Sequence, residues 1–144
     1  MRSYASSTTI DATPEAVWVV LVDGDRWTEW KSGVVGLKGT IAPGERLSVV
    51  SSANPGRAFP VTVTVFEPGR RMVWAGGMPL GLFRGVRTFT LSPEGPLTRL
   101  DVREEYSGPM LPLIWRSMPD LQPSFDQFTR GIKARLEHPV APAS

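Results

Sequence analysis

Two side chains of opposite charge, Arg87 and Glu104, are the residues of this sequence best placed to do chemistry. Each stands in a stretch where every second residue is apolar, and each takes one of the apolar positions. A lone charge on a buried face is costly, so the two side chains should pair. Three interpretations stay open: a structural ion pair, an anchor for the polar end of a bound molecule, or a pair that takes part in catalysis.

The placement of this pair follows from a predicted hairpin over 83–106 that turns around 93–96. A register that sets Leu91 opposite Thr98 makes Arg87 and Glu104 diagonal neighbours, about 7–8 Å apart between backbones. A carboxylate beside a guanidinium is a poor proton donor at neutral pH. We therefore expect Glu104 to be a weak general acid.

Further candidates for ligand contact share the apolar face of the predicted sheet or face it from the C-terminal helix. Tyr106 stands at a strand end, where its phenol could reach a ligand or could bond to water or backbone at the cavity rim. Trp74, Phe59 and Phe89 could stack against a flat ligand or fill the core. Val102 on the sheet and Phe128 on the helix should belong to the apolar lining of the cavity.

Composition excludes several kinds of site. Cysteine is absent and there is one histidine, so no thiol nucleophile, disulfide framework or cysteine- or histidine-cluster metal site is expected. The glycine-rich stretch 76–81 lacks the lysine of a phosphate-binding loop. The 16 cations exceed the 14 anions by only two and form no basic run, which disfavours nucleic acid as a partner. We expect neither a metal nor a cofactor.

The elements that must position these side chains follow from the spacing of apolar residues. A strand over 3–10 precedes a helix that begins at Thr13-Pro14 and should end with Gly24 in a left-handed cap. A short second helix carries Trp27 and Trp30. Six segments of alternating apolar residues follow, several of them separated by Pro-Gly turns, and these predict antiparallel strands.

The C-terminal third predicts one long helix with an irregular start. Its apolar stripe follows a spacing of four and three: Leu121, Phe125, Phe128, Ile132 and Leu136. Gly131 adjoins the stripe and should leave space beside a ligand. The fold class is α+β, a curved antiparallel sheet of about seven strands around the long helix, with two short helices after the first strand. We assign residues 1–138 to one domain and 139–144 to a tail.

Three stretches resemble the START-like superfamily, also called SRPBCC or birch-pollen-allergen-like, which includes the polyketide cyclase/dehydrase families. They are 10–18 (IDATPEAVW) with Trp27 and Trp30, then 74–85, and 103–108, of which the last two are similar to a bacterial subgroup. The resemblance covers nearly the whole chain and implies a helix-grip fold with an apolar cavity between sheet and helix. The subgroup often carries histidine at the positions of Arg87 and Val102, so chemistry dependent on those histidines is absent or altered here.

Three functions remain open. The leading hypothesis is binding of a hydrophobic or aromatic small molecule, lipid- or polyketide-like, in the internal cavity. The alternatives are a polyketide cyclase or dehydratase and an interaction module without ligand, for which 78–83 or 109–115 would be the contact surface. The segment 76–83 could equally be a mobile lid. No secretory signal or bilayer-spanning stretch is recognised, so we expect a cytoplasmic protein without stable membrane insertion, and a homodimer is compatible with the sequence.

Overall fold

Seven strands form one antiparallel sheet in the order β1-β7-β6-β5-β4-β3-β2. The computed structural model describes residues 2–52 and 55–138, so the predicted tail at 139–144 lies outside the described residues. The sheet is curled and carries a C-terminal helix and short helices, which confirms the predicted helix-grip architecture. The elements are β1 (Arg2–Ile10), α1 (Pro14–Val22), a 3-10 helix (Gly24–Glu29), β2 (Val34–Lys38), β3 (Arg46–Ser51), β4 (Ala58–Glu67), β5 (Arg71–Gly77), a 3-10 turn (Pro79–Gly81), β6 (Arg84–Glu94), β7 (Leu97–Ser107), α2 (Leu111–Ser117) and α3 (Gln122–Glu137).

Helix α1 begins as its sequence indicates and ends differently. The Thr13 hydroxyl accepts a hydrogen bond from the Ala16 amide at 3.1 Å, and Pro14 occupies the first turn. The expected left-handed cap at Gly24 is wrong, because Asp23 ends the helix and Gly24 opens the 3-10 helix that follows. Gly24 is needed for space instead, since a Cβ there would lie 2.9 Å from the Leu37 side chain.

The β6–β7 hairpin has a different register from the predicted one. Its turn is tighter, with Gly95 at a φ of 62°, and the strands continue to residues 94 and 97. Leu91 therefore lies opposite Leu100, and Arg87 lies directly opposite Glu104. The observed register differs from the predicted one by two residues, which is an even number, so every side chain lies on its predicted face of the sheet.

Helix α3 lies along the edge strand β1 and is attached to it by polar side chains on successive turns. The contacts join α3 residues to the backbone or side chains of β1 and of the residue after it: Gln122 Nε2 to the Ala5 carbonyl at 2.8 Å, Asp126 to the Ser6 hydroxyl at 2.9 Å, Lys133 to the Thr9 carbonyl, and Glu137 to the Asp11 amide at 2.9 Å. This polar seam sets α3 parallel to β1, so the start of α3 lies towards the end of the sheet where β6 begins and β7 ends.

An aromatic cluster fills the core where α3 faces the sheet. Trp27 is fully buried and stacks on Trp74, with ring centroids 5.4 Å apart. It also contacts Phe128 at 5.1 Å and Phe89 at 6.4 Å. The 3-10 helix that carries Trp27 is thus wedged between α3 and the middle of the sheet.

Gly131 permits close packing and leaves no space for a ligand. A Cβ at this position would collide with the Lys31 carbonyl oxygen and lie 3.1 Å from the Trp30 ring. The expected role for Gly131 is therefore wrong, because the chain after the 3-10 helix already occupies that space.

The irregular stretch before α3 contains a short helix that the sequence analysis did not predict. Helix α2 is separated from α3 by residues 118–121. Its Trp115 stacks on Tyr4 at 5.4 Å and contacts Tyr106 at 5.9 Å, which fastens α2 across the β1 and β7 end of the sheet. Among the helices of residues 2–52 and 55–138, none combines the length and apolar character needed to cross a bilayer.

Candidate ligand-binding cavity

A cavity of about 560 Å³ lies between the sheet, α2 and the first turns of α3. Its exposed lining residues include Phe59 and Met78, so it opens at the end of the sheet where β4 begins and β5 ends. Its lining is mainly apolar and includes side chains from the sheet, from the two helices and from the link between them: Val49, Phe59, Val61, Trp74, Arg87, Val102, Glu104, Tyr106, Ile114, Met118, Leu121, Phe125 and Phe128. A volume of this size is typical of sites that take a small organic molecule.

One wall of the cavity carries the polar groups. Arg87 Nη2 lies 3.2 Å from Glu104 Oε2, and the Tyr106 hydroxyl donates to the same carboxylate oxygen. The Arg87 guanidinium also lies over the Phe125 ring, 4.7 Å from its centroid. The Arg87 and Glu104 side chains are 23 % and 16 % exposed, so the pair is only partly shielded from water.

Sheet pairing explains why these groups meet. Trp74, Arg87 and Glu104 lie directly opposite one another on β5, β6 and β7, and Tyr4 continues the row on β1. Tyr106 is two residues beyond Glu104 and therefore shares its face. Three neighbouring strands thus place an indole, a guanidinium and a carboxylate side by side.

Tyr106 remains a hydrogen-bond donor at neutral pH. Its burial raises the pKa of the phenol well above the usual value, and the nearby Glu104 charge and the hydrogen bond to it add to the effect, while Arg87 opposes it. A phenol with a raised pKa is a poor general base. Its proton instead helps to satisfy the Glu104 carboxylate.

Two unpaired donors are buried beneath the surface of this wall. Trp74 Nε1 and Arg87 Nε have no hydrogen-bond partner among the described residues. The two residues are direct cross-strand neighbours on β5 and β6. A buried donor without an acceptor costs about 1–3 kcal/mol, and because neither nitrogen reaches the cavity surface, the side chain must rotate before an acceptor oxygen on a ligand can pair with it.

The structure brings seven of the eight candidate residues to the cavity: Arg87, Glu104, Tyr106, Trp74, Phe59, Val102 and Phe128. Phe89 does not line it, because its ring packs behind Trp74 at 5.0 Å in the aromatic cluster. Phe59 is 41 % exposed and lies at the rim rather than in the interior.

Four residues that cover the cavity were not among the predicted site residues. Ile114, Ser117, Met118 and Pro119 line it from α2 and the link to α3. The apolar character of 109–115 was visible, but it was assigned to a partner-contact surface. Within the described residues, no group of three or more His, Cys, Asp or Glu side chains could hold a metal ion.

Comparisons with known proteins agree with this architecture. The family model "Polyketide cyclase / dehydrase and lipid transport" matches residues 1–137. No curated protein matches the sequence.

Solved structures give the same fold at low identity. Protein MLL2253 from Mesorhizobium loti superposes with a TM-score of 0.73 at 18 % identity, covering 97 % of this chain and 100 % of that one. TTHA0849 from Thermus thermophilus superposes with a TM-score of 0.72 at 19 % identity, covering 97 % of this chain and 100 % of TTHA0849. The di-domain ARO/CYC StfQ from the steffimycin biosynthetic pathway superposes with a TM-score of 0.69 at 16 % identity, covering 94 % of this chain and 50 % of StfQ. The family match over nearly the whole described chain confirms the START-like resemblance, and the chain belongs to the polyketide cyclase/dehydrase and lipid transport family.

Proposed function

We propose that this protein binds a hydrophobic or aromatic small molecule, lipid- or polyketide-like, in the cavity between the sheet and α3. The observation that carries the proposal is the cavity of about 560 Å³, mainly apolar, with the Arg87–Glu104 pair on one wall. An apolar space of this size gains free energy by taking up apolar surface from water. A polyketide-cyclase or dehydratase reaction is a second candidate, since Glu104 and Tyr106 share a proton donor–acceptor contact at the cavity wall.

The lining suggests how such a molecule would be oriented. Its apolar body would contact Val61, Val102 and Phe128, and its polar end would point at Trp74 and Arg87. Both unpaired atoms are donors that a side-chain rotation would bring to the cavity surface, so the matching group is an acceptor oxygen such as a ketone, carboxylate or phenolate. A body that buries about 400 Å² of apolar surface gains about 10 kcal/mol, and the cost of association reduces this to affinities in the micromolar range.

A glycine on the cavity wall allows a direct test. Gly85 lines the cavity, and a Cβ there would make ordinary contacts at 3.5 Å with the Tyr106 ring. Gly85→Leu should therefore fill the cavity without unfolding the sheet. Gly36→Leu is the matched control, because Gly36 also lies in a strand, meets only Val50 at 3.6 Å, and does not line the cavity.

The measurement is titration with anilinonaphthalene sulfonate, an aromatic probe with an acceptor group, followed by fluorescence. The wild type and Gly36→Leu should bind it with similar affinity, and Gly85→Leu should lose at least tenfold while its circular dichroism stays unchanged. Equal binding by Gly85→Leu would show that the probe sits elsewhere and would remove the support for a cavity ligand. Native mass spectrometry of the purified protein would then identify any molecule that the cavity retains.

A further inference from the structure

The end of the molecule where the cavity opens carries an unusual share of exposed apolar side chains. Of the seven large hydrophobic side chains exposed in the described part of the chain, Val19 lies on α1, and Val35 follows the cavity-lining Val34 at the start of β2, at the margin of this end. The other five form what we call the apolar rim: Phe59, Met78, Leu80, Leu82 and Leu113. Such a group of exposed apolar residues marks an interaction surface more often than a chance arrangement.

Two of the three segments that carry the rim are joined to each other. The Leu82 carbonyl accepts a hydrogen bond from the Met110 amide at 2.9 Å, which joins the β5–β6 connection to the start of α2. Gly108 lets these segments approach, because a Cβ there would lie within 2.5 Å of the Leu82 oxygen. The Met78 amide donates a hydrogen bond of 2.8 Å to the Phe83 carbonyl, which closes the base of the β5–β6 connection. The rim residues of the two segments are therefore held in place together.

Leu80 is the most exposed residue of the rim and has an unfavourable backbone. Its side chain is 96 % exposed, and its φ of 61° makes it the single non-glycine residue with positive φ among the described residues. Leucine is poorly suited to this conformation, which glycine and asparagine adopt more readily. Neither water nor local geometry favours leucine here, so its presence points to a contact outside the chain.

Arginines surround the rim. Arg2, Arg57, Arg84 and Arg116 are exposed at this end, and none forms an ion pair with a described residue. Arg57 lies over the Phe59 ring at 5.3 Å, and Arg2 lies over Trp115 at 5.2 Å.

Nearby acidic side chains do not neutralise these arginines. Glu105 is paired with Arg103 at 2.9 Å, and the exposed Asp120 carboxylate, which accepts from the Gln122 amide at 3.0 Å, keeps its charge but is outnumbered by the four arginines. Glu104 is turned into the cavity and bound by Arg87. The rim end therefore presents apolar side chains within a positive field.

We propose that the apolar rim docks on the surface of an anionic phospholipid bilayer. Leucine side chains would enter the boundary between headgroups and acyl chains, and the arginines would contact lipid phosphates. A second copy is a poor occupant, because two such faces would bring their unpaired arginines together. Docking in this orientation would point the cavity opening at the bilayer.

The test is sedimentation with vesicles that contain about one third phosphatidylglycerol, against vesicles of phosphatidylcholine alone. The wild type should bind the anionic vesicles near 0.1 M salt and release them near 0.5 M, where charge interactions are strongly screened. Leu80→Asn should weaken binding about tenfold, since it removes the inserted leucine. Because asparagine suits a φ of 61°, this variant should remain as stable as the wild type or become more stable.

Charge is tested separately with Arg84→Gln and Arg116→Gln, each expected to weaken binding about fivefold. The matched controls are Val19→Asn, an exposed valine on α1, and Arg70→Gln, an exposed arginine in the β4–β5 turn. Both controls should bind vesicles like the wild type.

Three outcomes would overturn the proposal: no binding by the wild type, equal binding to neutral vesicles, or equal losses in the controls. A dimer that Leu80→Asn dissociates, without vesicle binding, would instead assign the rim to contact between copies. Gly85→Leu should bind vesicles normally, so this result stands apart from the cavity test.

Discussion

Removing Arg87 alone should destabilise the protein more than removing both members of its ion pair. Opposite charges 3.2 Å apart attract by about 5 kcal/mol at an effective dielectric constant of about 20. Both side chains retain some exposure, and Tyr106 still donates to Glu104 after the change, so the isolated carboxylate is not wholly unsatisfied. We therefore expect Arg87→Leu to cost about 2–3 kcal/mol, below the range typical of a fully buried pair.

The double variant Arg87→Leu, Glu104→Leu should cost only about 1 kcal/mol. It leaves no unpaired charge, and two leucines extend an apolar wall, but the Tyr106 hydroxyl loses its acceptor. Adding Tyr106→Phe should recover most of that remaining cost. A double variant that costs less than the sum of its two single variants shows that the two side chains interact.

Urea unfolding measures these differences. A cost of 2–3 kcal/mol should lower the midpoint by about 1–2 M, with unchanged slope. The control is Arg103→Leu, which breaks the exposed Arg103–Glu105 pair and should change stability by less than about 0.5 kcal/mol. If Arg87→Leu costs no more than this control, or if the double variant costs as much as the two single variants together, the carboxylate is effectively hydrated and the reasoning fails.

Three further outcomes are expected. Trp74→Phe keeps an aromatic ring but removes one unpaired donor; it should weaken binding of a naphthyl ketone about fivefold to tenfold and leave the matching alkylnaphthalene unchanged, as measured by fluorescence titration. Because the pKa of Tyr106 is raised, the native state holds the phenol proton more tightly than the unfolded state does. The contribution of this proton to stability is therefore complete below about pH 10 and is lost as the pH rises further. Tyr106→Phe should reduce this alkaline loss of stability, as measured by urea unfolding at several pH values. Gly131→Ala should lower the unfolding free energy by about 1–3 kcal/mol through its collision with the Lys31 carbonyl, whereas Gly56→Ala, with open space around it, should be near neutral.

The alternation of apolar residues was sufficient to predict which face each strand buries. It placed Arg87 and Glu104 on one face because side-chain direction depends only on parity along the strand. It could not determine the register, since a shift of two residues preserves parity. The prolines at 93 and 96 favoured a longer turn, whereas Pro93 is accommodated near the exposed end of β6.

The cover of the cavity was harder to predict. Helix α2 has seven residues, with Pro112 in its first turn and Pro109 and Pro119 close outside it, and so short a segment shows no convincing apolar period. Its position depends on Trp115 packing against Tyr4, a contact between residues more than a hundred positions apart. The unpaired atoms of Trp74 and Arg87 depend on side-chain rotamers, which sequence spacing does not specify.

The polar seam between α3 and β1 also protects an edge strand of the sheet. A terminal strand offers its outward backbone groups to any strand that approaches, which is a common route to aggregation. Here the Ala5 and Thr9 carbonyls are already occupied by side chains of Gln122 and Lys133. The opposite edge, β2, has five residues and an irregular register, so it makes a poor template for a foreign strand. The helix that bounds the cavity thus also protects the longer edge of the sheet against intermolecular strand pairing.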